Sequence, residues 1–319
     1  MKQLLRDAQK IKSLEIQGAT NVATSAIQFM SDYANRIGKN LKPKELYKKL
    51  IEARDILVQT RATEPALRNG LNFILNKIEK GMSRNSIDEI LEIITMGNEE
   101  FKLIIQNAKK RIAEIGVRRI PDVETDKEFC IMTHCHSSVV NGILLEAKKQ
   151  GKNNFKVIAT ETRPFYQGRK TVEKLLAAGI EVIHVVDSAM RWAVNHHEVD
   201  LILIGADSIT SEGTIINKIG SRLLALVAHE EHVPFYVAST LLKYNPQTSF
   251  GILEKIEMRD PSEIWKDAPE GLKVLNPAFE TVSRRYIDGL ITEAGIFAPS
   301  FVNFYFYKLY PELVEVDSK

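Results

Sequence analysis

The chain has 319 residues, 44% of them hydrophobic and 26% charged, the composition of a globular protein with enough apolar mass for a sizeable core. Its 43 basic and 41 acidic residues nearly cancel, so no global field points to nucleic acid or an anionic membrane as partner. The two cysteines, Cys130 and Cys135, form no Cys-x-x-Cys pair, which argues against a disulfide framework or a zinc ribbon. Met1 to Asp7 has no uninterrupted apolar stretch of the signal-peptide kind, and no apolar run approaches the ~20 residues of a membrane span. A cytoplasmic protein with no membrane partner is expected.

At roughly 150 residues per domain the length suggests about two domains. The first third reads as helices. Val22, Ala23, Ala26, Ile27, Met30, Tyr33, Ala34 and Ile37 follow the 3.6-residue period, and Gly38 is a stop. Pro43 opens a second helix through Leu46 and Leu50, and Thr63 with Pro65 opens a third through Leu67, Leu71 and Ile74. A long helix is predicted from about Ser86 to Gly116. From Pro121 onward the pattern changes. Short apolar runs (Phe129–Thr133, Phe155–Ala159, Val182–Val186, Leu201–Ile204, Pro234–Ala238, Gly289–Thr292) alternate with helix-length segments, as in βαβ units around a parallel sheet. Lys243 to Pro277 reads as a long excursion. The expected fold class is therefore α/β: a helical N-terminal domain over 1–120, then a parallel-sheet domain over 121–319.

Ligands of open parallel sheets bind at the carboxyl ends of the strands. The strand Phe129–Thr133 breaks into His134-Cys135-His136-Ser137, just before a helix whose start favours a thiolate. Leu201–Ile204 runs into Gly205-Ala206-Asp207. Asp207 suits a general acid/base, or merely the cap of the next turn; its residue type alone leaves both open. Cys130 lies mid-strand and reads as a buried apolar residue. Adjacent residues of the His134-Cys135-His136 run point opposite ways on a strand and rarely bind one ion, and no fourth ligand is evident, so no metal is expected. Asn217-Lys218-Ile219-Gly220-Ser221 reads as an anion-binding helix start. Thr162-Arg163-Pro164 brings a guanidinium to the same edge, where two cations suit a phosphorylated substrate. No Gly-x-Gly-x-x-Gly, Walker A or Gly-x-Ser-x-Gly motif is present, which disfavours dinucleotide, nucleotide-hydrolysis and common hydrolase chemistry.

Gln17-Gly18-Ala19, Thr133-His134-Cys135, Glu161-Thr162-Arg163-Pro164, Gly205-Ala206-Asp207, Asn217-Lys218-Ile219-Gly220 and Pro234-Phe235-Tyr236-Val237-Ala238 occur in that order. Together they resemble the family of the translation initiation factor 2B alpha, beta and delta subunits and their sugar-phosphate isomerase relatives, over nearly the whole chain. Glu161 to Gly168, Val186-Asp187-Ser188-Ala189 and Val274 to Phe279 look most similar to the ribose 1,5-bisphosphate branch.

That resemblance implies a Rossmann-like second domain and an aldose–ketose isomerase that turns α-ribose 1,5-bisphosphate into ribulose 1,5-bisphosphate in nucleoside monophosphate salvage. Cys135 and Asp207 would be its catalytic groups, with neither a metal nor a nicotinamide cofactor. Gly18, Ala19, Arg61, Ser137, Arg163, Asn217, Lys218 and Lys243 would hold the substrate. The resemblance further implies AMP as activator and a homo-oligomer, a dimer or a hexamer. A regulatory factor 2B-like subunit that binds initiation factor 2, and a methylthioribose-1-phosphate isomerase, are the alternatives within the family. Two positions depart from the family isomerases: Gln17 stands where an arginine is usual, and Ala62 where a proline follows the arginine.

Overall fold

The computed structural model describes residues 1–16, 18–61, 63–81, 86–122, 127–252 and 254–313. Gln17 and Ala62, the two departures from the family pattern, lie outside the described residues. The chain divides into one unit of Met1–Asn107 with Leu242–Tyr244 and Phe306–Lys319, and a second of Ala108–Leu241 with Asn245–Tyr305.

The first unit is helical. It contains α1 (Lys2–Lys12), α2 (Ala19–Ile37), α3 (Pro43–Val58), α4 (Pro65–Gly81) and most of α5 (Ile87–Gly116). The apolar stripe of α2 is buried as its period requires, and Gly38 is its C-cap. α3 takes Pro43 into its first turn, and the Lys42 amide donates to Glu45 Oε2 at 3.0 Å. Reciprocal bonds start α5: Ser86 N to Glu89 Oε2 at 2.5 Å, and Glu89 N to Ser86 Oγ at 3.3 Å. α1 was not expected, because Leu4, Ala8 and Ile11 give it a thin apolar stripe among charged residues. α4 carries Gly70 where a Cβ would lie 2.8 Å from the Phe101 ring and 3.0 Å from Ile27, so glycine permits the close approach of α2, α4 and α5.

The second unit runs β1 (Phe129–Thr133), α6 (Ser138–Lys149), β2 (Phe155–Thr160), α7 (Gln167–Ala177), β3 (Glu181–Val185), α8 (Met190–His196), β4 (Leu201–Ile204), β5 (Ser208–Ile209), β6 (Ile215–Lys218), α9 (Ser221–Glu230), β7 (Phe235–Ala238), β8 (Phe279–Val282), β9 (Gly289–Thr292) and β10 (Gly295–Phe297), with α10 (Val302–Leu309) following. Seven strands form one sheet in the order β10-β9-β7-β4-β1-β2-β3. All its pairings are parallel except that of β10 with β9. This is a Rossmann-like sheet, with an apolar core under α6 and α7 built from residues such as Ile131, Val140, Ile143, Val157, Leu175 and Leu203. The chain moves from β1 outward to β2 and β3, then returns to place β4 on the other side of β1. That reversal is a topological switch point, where ligands of such folds bind.

A small antiparallel sheet, β5-β6-β8, was not read from the sequence. It corrects one expectation. Asn217 and Lys218 end strand β6 rather than opening a helix, and the helix begins at Ser221 with Gly220 as N-cap at φ 102°. The signal was hidden because Gly220-Ser221 follows the strand directly.

Gly168, in the first turn of α7, sits where a Cβ would lie 1.7 Å from the carbonyl oxygen of Thr160. Only glycine lets α7 start this close to the end of β2. Gly168→Ala is expected to lower stability by ~3 kcal/mol or more, since the colliding atom is backbone. The check is the thermal unfolding midpoint, and an unchanged midpoint would show that the contact is not there.

Candidate functional site

Cys135 follows β1 and Asp207 follows β4, so the two flank the switch point. The turns that carry them meet. Gly205 lies so close to Ser137 that a Cβ would come within 2.7 Å of its Oγ. The same Ser137 oxygen accepts from Val140 N at 3.3 Å and caps α6. Asp207 is half-buried, and its amide donates to Ile216 O at 2.8 Å, which ties the end of β4 to β6.

Cys135 is half-buried and adopts φ 70°, a left-handed conformation that costs a non-glycine residue roughly 1–2 kcal/mol. Both its backbone groups are held. Its N–H donates to Thr162 Oγ1 at 3.0 Å, and its carbonyl accepts from Thr171 Oγ1 at 2.9 Å. Its thiol reaches Gln167 Oε1 at 3.7 Å. Cys130, by contrast, is fully buried, and burial pushes its thiol up to about 11, so it stays protonated.

His134 organises the surroundings. Its Nε2 lies 2.8 Å from Ile219 O and its Nδ1 lies 2.6 Å from Thr160 Oγ1. A carbonyl only accepts, so Nε2 carries the proton and Thr160 donates to Nδ1. Thr160 Oγ1 then accepts from Thr162 Oγ1 at 3.4 Å, and Thr162 accepts from the Cys135 amide. Every hydrogen in this chain has one place. It joins the ends of β1, β2 and the β6–α9 turn. Burial, the largest influence, lowers the His134 pKa and keeps the ring neutral. Gly220 makes room for it, because a Cβ there would stand 2.9 Å from the imidazole. His136 turns elsewhere, its Nδ1 donating to Thr171 Oγ1 at 3.0 Å. Among the described residues, no group of three or more His, Cys, Asp or Glu could hold a metal ion.

Asn217 and Lys218 are buried, at 5% and 8% exposure. Asn217 Nδ2 donates to Ser221 Oγ at 2.8 Å. The Lys218 ammonium stands 4.7 Å above the Phe279 ring and, among the described residues, has neither an ion pair nor a hydrogen bond. The amides at the start of α9 are not open. Glu280 Oε1 accepts from Gly220 N at 2.5 Å and from Arg222 N at 3.0 Å, which leaves side chains rather than the helix end available to an anion.

Arg163 is exposed, bonded to the Tyr166 hydroxyl and, at 3.2 Å, to Ile264 O. Asp187 holds its turn by accepting from Thr162 N and Arg163 N, both at 2.8 Å. The remaining expected residues belong to the first unit. Gly18, at φ 84°, precedes α2, which starts at the buried Ala19 without a side-chain cap. Arg61 pairs with buried Glu64 at 2.9 Å. Lys243 ends the turn Leu241–Lys243, and buried Asn69 grips both sides of it, donating to Leu242 O at 2.8 Å and Tyr244 O at 2.9 Å. Sequence reasoning missed His134, Thr160, Thr162, Asp187, Glu280 and Asn69 as organising residues. The one available signal was the clustering of threonines at the ends of β1 and β2.

His134 and His136 are both held below the ordinary 6.5, mainly by burial. The unfolded chain takes up these protons as pH falls through about 6.5, and the folded one does not. Stability should therefore be flat above pH 7 and decline as the medium becomes more acidic. His134→Gln should flatten part of that decline in denaturant titrations across pH 5–8; an unchanged slope would mean that His134 is protonated in the fold.

The initiation factor 2 subunit family matches residues 15–299. The ribose 1,5-bisphosphate isomerase of Archaeoglobus fulgidus is 40% identical over 304 residues, 94% of this chain and 91% of that protein. The enzyme of the same name from Thermococcus kodakarensis is 39% identical over 305 residues, covering 94% and 92%. Among solved structures, the translation initiation factor eIF-2B of Pyrococcus horikoshii OT3 superposes with a TM-score of 0.77 at 28% identity, covering 94% of this chain and 98% of that one.

Proposed function

The chain belongs to the initiation factor 2 subunit family, and from that premise we propose that it is a ribose 1,5-bisphosphate isomerase, an aldose–ketose isomerase that forms ribulose 1,5-bisphosphate in nucleoside monophosphate salvage. The observation that carries this reading is Lys218. Lys218 is a residue only 8% exposed with no acidic partner among the described residues, and a cation so enclosed favours an anionic ligand. It stands at the end of β6, next to the turn that accepts from His134 beside Cys135. A phosphate group answers that need.

The reaction moves a proton between neighbouring carbons and opens a furanose ring, with no net oxidation. Acid–base groups suffice for it, so no metal or nicotinamide has a part in the proposal. The Cys135 thiolate takes the C2 proton, and the electrons left behind form an enediol-type intermediate. Asp207 carries the proton that the ring and hydroxyl oxygens exchange. The proton then returns at C1. Lys218, Asn217, Arg163 and the Ser137 hydroxyl hold phosphate or sugar oxygens. Because Ser137 Oγ already accepts from Val140, its own proton is left to donate to the ligand.

A cytoplasmic setting, AMP as activator, and assembly into a dimer or hexamer complete the reading. Exposed Trp192, Leu223 and Leu226, on α8 and α9, support burial against another copy of the chain. Among the described residues, no helix is long and apolar enough to cross a membrane.

The test is turnover of ribose 1,5-bisphosphate by purified protein, with Cys135→Ser and Asp207→Asn beside it. Each substitution should lower kcat/KM about 10²- to 10⁴-fold, the usual contribution of a positioned acid or base. Lys218→Met should raise KM more than it lowers kcat. If folded wild-type protein shows no turnover even with AMP, the isomerase reading fails and the regulatory-subunit reading takes its place.

A further inference from the structure

Within the second unit, a hollow of about 540 Å³ is lined by Arg111, Glu114, Ile115, Arg118 and Arg119, with Ala294 to Ile296 opposite. The first five belong to the end of α5 and the turn that follows it, and the others to the β9–β10 turn and the start of β10. It takes in none of the residues assigned above to the isomerase site. Its size suits a small organic ligand.

Three arginines and one glutamate line it, and among the described residues none of the three arginines is in an ion pair. The carboxylate of Glu293, the residue before Ala294, is engaged elsewhere. It is 4% exposed, and its oxygens accept from Thr240 Oγ1 at 2.7 Å and from Leu241 N at 3.0 and 3.1 Å. Two of the arginines are already fixed. Arg111 Nε donates to Glu293 O at 2.6 Å, and the Arg119 guanidinium stacks 5.0 Å from the Tyr236 ring. Each keeps terminal N–H donors for a ligand, with little further ordering to be lost on binding. Arg118 is exposed and, among the described residues, makes neither a hydrogen bond nor an ion pair. The dipole of α5 favours cations at its C-terminus, which explains the charge of these residues but not the hollow between them and the β9–β10 turn.

We propose that this hollow is a second anion site, which binds a small phosphate-bearing ligand through Arg111, Arg118 and Arg119. Glu114, an acceptor on the same wall, selects ligands that carry a hydroxyl or amine donor beside the phosphate. The inference does not rest on the isomerase reading, because none of its residues takes part in that chemistry.

Inorganic pyrophosphate is the probe, titrated calorimetrically into the Lys218→Met protein, in which the first phosphate site has lost its buried cation. Binding is expected to persist there and to weaken about tenfold or more when Arg118→Ala and Arg119→Ala are added, as the loss of charge-assisted hydrogen bonds predicts. Both arginines are exposed, so the added substitutions leave the core untouched, and thermal unfolding of each protein confirms the fold. Absent binding in the Lys218→Met protein, or binding unchanged by the arginine substitutions, would overturn the proposal. Turnover of ribose 1,5-bisphosphate by the Arg118→Ala/Arg119→Ala protein separates the two readings: failure of the isomerase reading leaves this titration unaffected.

Discussion

A neutral imidazole buried among three strand ends is the constraint on which the candidate site depends. His134 donates to one carbonyl and accepts from one hydroxyl, and each partner belongs to a different segment: Ile219 after β6 and Thr160 at the end of β2. A ring 2% exposed must have both nitrogens satisfied, so these segments cannot slide apart without leaving a polar atom stranded. The consequence reaches Cys135 through two threonines. Its amide is held by Thr162, whose own amide is held by Asp187. A residue at φ 70° keeps that conformation only where its neighbours over-determine it, and here both its N–H and its carbonyl are engaged. The thiol is thus aimed by backbone bonds together with its contact to Gln167 Oε1.

The second governing feature is how positive charge is arranged around Lys218. A helix start is a ready anion site, and α9 begins two residues beyond Lys218's neighbour Ile219. Yet Glu280, paired with Asn217 across β6 and β8, occupies the Gly220 and Arg222 amides. A carboxylate there satisfies the backbone and opposes a phosphate on the same amides. Charge for a ligand then has to come from side chains. The Phe279 ring under the ammonium supplies some attraction, of about 0.5–2 kcal/mol, less than the desolvation cost of a buried cation. An anionic ligand closes that gap, which is why the lysine rather than the helix end carries the functional reading.

Legibility from sequence followed the kind of interaction. The central strands β1, β4 and β9 are nearly continuous apolar runs, because both faces are covered, and they were placed to the residue. Cys135 and Asp207 stood out because polar residues at the ends of such runs have few packing explanations. β6 escaped notice because it is four residues long and ends in Asn217-Lys218, polar residues that run straight into a glycine and a helix. The roles of His134 and Asn69 were not legible at all. Their partners are 85 and 173 residues away in sequence, and nothing local records such a pairing. What is local is read from pattern; what orients the site is long-range and needs coordinates.

Proteins named as isomerases and proteins named as initiation factors share this scaffold, so the fold by itself does not choose between them. The choice lies in what stands at the switch point. A regulatory surface has no use for a thiol held in a strained backbone conformation, because strain is retained where geometry at one atom matters. It also has no need of a buried ammonium, since exposed cations bind partners at lower cost. Here the strained thiol follows β1, a carboxylate follows β4, and the enclosed lysine ends β6 of the small sheet, whose next residue Ile219 accepts from His134. Strain at Cys135 and desolvation at Lys218 are costs that a binding module would shed, and under the proposed isomerase reading proton transfer on a phosphorylated sugar offsets them.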